Sequence, residues 1–187
     1  MPRLRAVKTS EAKGKARELL EGVEESLGKA PNIMRTMANS PAVLEAYLAF
    51  NSALAKGSLS AKLREQIALA VGEANQCKYC LAAHTALGKM AGLGDAEIED
   101  SRRGASSDGR TNAALGFARK VVRERGWVGD DDVATLRSAG FDDGAIAEIV
   151  ATVAVNIFTN YLNHVAETAV DFPGVGELQA SAACACA

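Results

Sequence analysis

An all-α fold is what this chain predicts, and three observations carry the prediction. Apolar residues recur at helical spacing from end to end, no alternating runs flanked by hairpin turns occur, and aromatic residues are only 5% of an alanine-rich chain. With 187 residues and 48% hydrophobic side chains, the chain can bury a core without disulfide or metal staples. Residues 1–174 are expected to form a single helical domain, with a redox core at residues 40–100, and residues 175–187 a disordered tail.

From Thr9 to Leu27 the charged and apolar residues fit an amphipathic helix, closed by Gly28 and then Pro31, a C′ glycine followed by a proline. Ser40 before Pro41 reads as an N-cap and first helical position, opening a helix through AVLEAYLAFNSAL to Lys56. Gly57 and Ser58 punctuate the chain. A helix from Leu59 then carries LREQIALAVGEA, with Lys62, Gln66 and Glu73 on a polar stripe and Leu63, Ile67, Ala70, Val71 and Ala74 opposite. Glu65 lies off that stripe. Its helical neighbours Ala68 and Gly72 are small and let another element approach, so its carboxylate is expected to face a partly enclosed space.

The next helix starts near Cys77 and ends near Gly92 to Gly94, a short acidic helix covers DAEIEDS, and RRGASSDG reads as a flexible loop. Helices resume at Arg110 to Arg125, Asp130 to Ser138 and Asp143 to Ala169. In the last, AIAEIVATVAVNIF is apolar nearly all round apart from Glu148 and Asn156, the pattern of a buried central helix with surface left for subunit contacts. A weak internal repeat sets Glu65, Cys77 and Cys80 against Glu148, Asn160 and Asn163 at identical spacings, as two related helical halves would.

Charge narrows the functional classes. Lysine and arginine total 21 against 23 acids, for a net charge of −2, so nothing favours nucleic acid or anionic lipid as a partner. The N-terminal MPRLRAVKTSEAKGKARELL lacks an apolar segment behind its positive charges, and no run of roughly 18 apolar residues occurs. Neither export nor membrane insertion is expected, and the protein reads as cytoplasmic. Four cysteines are too few and too clustered for a disulfide framework, so the pair Cys77 and Cys80 asks for a chemical reason.

That pair lies in NQCKYCLAAH, with His84 four residues after Cys80. Deep inside a helix, residues three apart have Cβ atoms roughly 5–6 Å apart, whereas a disulfide needs about 3.5–4.5 Å. In a first helical turn such a pair can close, and Asn75 and Gln76 can supply the break and cap that start a helix at Cys77. The free N–H groups and positive end of a helix also stabilise a thiolate, the nucleophilic form. Cys80, one turn in and closer to the enclosed side, is the better attacking sulfur, with Cys77 nearer the exposed end as the resolving thiol. His84 shares their helical face and can take the thiol proton, and Glu65 can orient the imidazole if the preceding helix folds back.

Other readings stay open at this point. Cys77, Cys80 and His84 could hold an open zinc site with water as fourth ligand, or be inert buried groups. Glu65 could equally form a structural ion pair with Arg64 or another base. His164 reads as a hydrogen-bonded core or interface histidine, Trp127 as a packing anchor, Lys78 as solvated, and Cys184 and Cys186 as silent members of the tail.

The string REQIALAVGEANQCKYCLAAH, with its glutamate twelve residues before a C-x-x-C and its histidine four after, resembles the alkylhydroperoxidase D and carboxymuconolactone decarboxylase family. APNIMRTMANSPAVLEAYLAF before it and FTNYLNHVAETAVDFP after it are similar to the peroxidase-related branch, so the likeness spans Gly28 to Pro173. The resemblance implies an all-helical fold assembling as dimers, trimers or hexamers. It also implies a thiol peroxidase that reduces organic hydroperoxides or hydrogen peroxide without metal or haem, drawing electrons from an external dithiol. Carried over residue by residue, Cys80 would be the peroxidatic cysteine, Cys77 the resolving one, His84 the relay base and Glu65 its partner. The chain departs from the family's peroxidases at Tyr79, where they carry a histidine that joins the relay. Decarboxylase members generally lack the cysteine pair, which disfavours the lactone reaction.

Overall fold

The computed structural model describes residues 1–178. Among them are nine α-helices, one 3-10 turn at Thr9–Glu11, and no strand. The helices are α1 (Gly14–Leu27), α2 (Asn32–Met37), α3 (Pro41–Leu54), α4 (Ala61–Ala74), α5 (Lys78–Met90), α6 (Asp95–Arg103), α7 (Gly109–Arg123), α8 (Asp130–Ser138) and α9 (Asp143–Ala166). The expected helices are all present and the fold is all-α, but the first starts at Gly14 and not Thr9, the last ends at Ala166 and not Ala169, and α2 is an additional short helix.

Local chemistry sets most boundaries. Gly28 ends α1 in the left-handed region at φ 75°, where a residue without Cβ meets no penalty. Ser60, Asp108 and Asp142 cap α4, α7 and α9 by accepting from the N–H groups of Leu63, Thr111 and Ala145, satisfying donors that a helix start leaves free. The predicted loop RRGASSDG is largely used up by such contacts. Arg102 and Arg103 belong to α6, and Arg102 donates to Glu73 on α4 at 2.7 Å.

The centre of the bundle is α4, which packs against α5, α6, α7 and α9. Every residue from Gln66 to Gly72 is buried. Gln66 therefore does not lie on a solvated stripe as the helical wheel predicts, because neighbours cover this helix on more than one side. One apolar cluster joins α4, α7 and α9 through Ile67, Val71, Leu115, Phe141, Ile149 and Val153. A second gathers α1, α2 and α3 around the start of α5, with Leu20, Val23, Ile33 and Leu44 against Cys77, Tyr79 and Cys80. The thiol helix is thus wedged between the N-terminal helices and the central one.

By length and composition α9, with mean hydropathy 1.5, could cross a membrane. Here it packs against α3, α4 and α7 and buries Ile149, Val153 and Ala166. It runs unbroken past Glu148, Asn160 and Asn163, whereas Glu65 and the cysteines lie on two helices. The equal spacings therefore do not mark equal layouts.

One packing expectation is corrected, and the reading of His164 as a core or interface residue is narrowed to its interface half. Trp127 is 88% exposed, because Arg125 and Gly126 turn through positive φ after α7 and leave Val128 to pack on the core instead. His164 is exposed on α9, whose buried positions in that turn are Asn163 and Ala166. Residues 175–178 carry no regular structure, yet Val175 packs against Leu69, Leu81, Leu93 and Ile98. Cys184 and Cys186 lie outside the described residues.

Candidate active site

The site begins where α4 breaks into α5. Asn75 terminates α4, and Gln76 adopts φ 54°, a left-handed conformation that reverses the chain within one residue. The N–H of Cys77 then donates to the carbonyl of Gly72 at 2.9 Å, and Cys77 becomes the N-cap of α5, its sulfur accepting the N–H of Cys80 at 3.4 Å. The two sulfurs are free thiols 2.8 Å apart. The expectation that Cys77 sits nearer an exposed end fails: it is 1% exposed and Cys80 2%, because α1, α2 and α3 cover the helix start.

One turn further along, Nδ1 of His84 lies 2.8 Å from Oε2 of Glu65 across the α4–α5 contact. Glu65 meets His84 and not Arg64, which donates instead to the carbonyl of Leu59. Cys77, Cys80, His84 and Glu65, singled out from spacing, are thus brought to one place. Among the described residues no three His, Cys, Asp or Glu side chains are grouped to hold a metal ion.

Other participants come from distant segments. Asn163 on α9 donates through Nδ2 to Cys80 Sγ at 3.2 Å and lies 4.0 Å from Cys77 Sγ. Asn160, one turn earlier and fully buried, accepts from Nδ2 of Asn75 at 2.8 Å. The hydroxyl of Tyr79 donates to Asp171 at 2.7 Å and accepts the N–H of Ile33 at 3.2 Å. Asp171 also accepts the N–H of Asn32 at 3.0 Å. Tyr79 therefore ties the thiol helix to α2 and to the C-terminal segment. Only the spacing of Asn160 and Asn163, matching that of the cysteines, marked the two amides in the sequence.

Two cavities meet at His84. One, of about 260 Å³, is walled mainly by apolar side chains such as Ile33, Met34, Leu87 and Phe172, and is lined by Cys80 and His84 but not Cys77. The other, of about 60 Å³, is lined by Arg64, Glu65, His84, Asn156 and Thr159. Tyr47 borders both, so an apolar compartment carrying the sulfur adjoins a polar one carrying the carboxylate.

Electrostatics separate the two thiols. The hydrogen bond from Cys77 lowers the pKa of Cys80 most; burial opposes it, while the His84 charge and the amides of Asn163 and Asn160 assist. Cys77, as donor in that bond, is raised, and burial and the neighbouring charge raise it further. Burial pulls His84 down, but the charge and hydrogen bond of Glu65, joined by the Cys80 charge and Asn156, outweigh it and the net shift is upward. Burial pushes Tyr47 up to about 12, keeping its hydroxyl protonated. The shifts thus favour the thiolate at Cys80, the charged form at His84 and the protonated thiol at Cys77.

The helical bundle has an alkylhydroperoxidase D-like fold. Residues 41–124 match the model of the carboxymuconolactone decarboxylase family, the family that the sequence resembles. The structure superposes on the alkylhydroperoxidase AhpD core of an uncharacterized peroxidase-related protein from Ralstonia eutropha JMP134 with a TM-score of 0.82. The identity is 27%, over 91% of this chain and 92% of that one. A peroxidase-related protein from Silicibacter sp. TM1040 is similar at TM-score 0.79 and 26% identity, over 96% of this chain and 100% of that one. The debrominase Bmp8, solved in complex with 2,3,4-tribromopyrrole, shares the fold at TM-score 0.78 and 19% identity, covering 91% of this chain and 92% of its own. No curated protein matches the chain significantly.

Proposed function

We propose that this protein is a thiol-dependent peroxidase acting on organic hydroperoxides or hydrogen peroxide. The observation that carries the reading is an asymmetry: Cys80 alone of the two thiols faces the apolar cavity, beside His84, while Cys77 waits 2.8 Å behind it. An oxidant entering that cavity meets the lowered thiol first.

The Cys80 thiolate attacks the terminal oxygen of the peroxide. A sulfur–oxygen bond forms, the oxygen–oxygen bond breaks, and the leaving alkoxide takes the imidazolium proton of His84. Neutral His84, held by Glu65, then removes the Cys77 proton. The Cys77 sulfur attacks the Cys80 sulfenic acid, forming the disulfide, and the departing hydroxide leaves as water with that proton. An external dithiol, small or protein-borne, returns two electrons and two protons by exchange. No metal or organic cofactor enters the cycle. A cytoplasmic setting fits it, since thiol reductants are maintained there, and neither nucleic acid nor membrane is needed as partner.

Purified protein given an organic hydroperoxide and a dithiol should convert them one for one into alcohol and disulfide. Peroxide loss that Cys80→Ser leaves unchanged overturns the assignment. A second reading keeps the thiol pair but takes another disulfide or reducible compound as electrophile. Tyr79 favours retaining it, because its hydroxyl is committed to Asp171 and Ile33 and is not part of a proton relay. Turnover with a disulfide but not with any hydroperoxide would select that reading.

A further inference from the structure

We propose that Asn160 and Asn163, on successive turns of α9, form an amide cradle that keeps the Cys80 sulfur ionised in a buried site and so selects it over Cys77 as nucleophile. The proposal rests on the reading of Cys80 as the attacking sulfur.

Burial alone acts against a thiolate here, since Cys80 is 2% exposed in a cluster with Leu44 and Ala83. The start of α5 does not supply the missing donor directly. The N–H of Cys80 is given to the Cys77 sulfur, so the helix end serves the resolving thiol. Side chains must supply the donors for Cys80, and two amides stand there. Nδ2 of Asn163 is 3.2 Å from Cys80 Sγ and 4.0 Å from Cys77 Sγ, so its donor favours one sulfur. In Asn160 the carbonyl end is fixed by the bond from Asn75, which leaves Nδ2 buried with no partner among the described residues.

The orientation of Asn163 points the same way. Its Oδ1 is buried without a partner; turning the amide round would strand the N–H group instead, the less tolerated orphan. Two buried donors on one helix, one bonded to the sulfur and one unpaired, are what an anion in this place requires. Each amide also favours the ionised form of Cys80.

The test is the pH profile of Cys80 alkylation by iodoacetamide, read by mass spectrometry at that residue. In Asn163→Leu the midpoint should move about one pH unit towards alkaline from about 6, a roughly tenfold loss of rate at about pH 5 that closes by about pH 9, once the thiol is ionised anyway. Asn160→Leu should shift in the same sense. Asn163→Ser, which keeps a donor, should shift less, and it decides the matter by the same profile should the leucine variant fail to fold. An unchanged midpoint, or a loss that persists at alkaline pH as general damage would, overturns the cradle. Alkylation needs no peroxide, so an asparagine-dependent acidic Cys80 in a protein that consumes no hydroperoxide removes only the peroxidase reading.

Discussion

At the scale of single residues, the two sulfurs should fail differently. Cys80→Ser should abolish peroxide consumption, whereas Cys77→Ser should allow one equivalent to react and leave a sulfenic acid on Cys80 that a dimedone probe captures. Wild-type protein treated with one equivalent should instead lose two hydrogens between them. The alkylation rate of Cys80 should rise with pH about a midpoint below the ordinary thiol value of about 8.5, since its pKa is lowered. The sign is opposite for His84, whose pKa is raised, chiefly by Glu65 acting against burial. Its contribution to stability is complete below the unfolded value of about 6.5 and fades as pH rises through the higher folded one. Glu65→Gln should therefore lower the thermal midpoint more at acidic than at alkaline pH. The motif residues were legible because helical spacing alone puts Cys77, Cys80 and His84 on one face. Tyr47 was not, and Asn160 and Asn163 were marked only by their spacing, because tertiary packing of α3 and α9 is what brings these side chains to the sulfur.

At the scale of elements, the site depends on the break between α4 and α5. Gln76 at φ 54° holds a conformation that costs most side chains roughly 1–2 kcal/mol, and β-branched ones more. Gln76→Val should thus lower unfolding free energy by about 1 kcal/mol or more in a denaturant titration, while Gln76→Gly should cost nothing. The helices themselves were legible from capping and stop chemistry: Gly28, Ser60, Asp108 and Asp142 all act at the ends they mark. Covering was harder to read. A wheel gives Gln66 the same polarity as Lys62, yet only Gln66 is buried, because burial of α4 is decided by four neighbours and not by its own pattern.

At the scale of the whole molecule, stability should centre on α4. Ile67 is fully buried where α4 meets α7 and α9, and Ile67→Ala should cost about 2–5 kcal/mol. The other face of α9 carries exposed Val150, Phe158, Tyr161 and Val165 at helical spacing. We propose that copies of the chain pair there as a homo-oligomer. Light scattering should then give a multiple of the 19.5 kDa chain, and Val165→Glu should shift it towards the monomer. The class of fold was legible because every described segment of regular structure is helical; which positions of α9 would face a partner was not, because its outward and inward apolar positions look alike in one sequence.

The phenol of Tyr79 moors the reactive helix to Ile33 near one end of the chain and to Asp171 near the other. Chemistry at the sulfur is therefore hostage to both termini. Clipping the polypeptide just before Asp171 would cut one mooring line while sparing the bundle. A trimmed protein should stay folded but grow sluggish, and its lethargy would be the first symptom of a loosened hem.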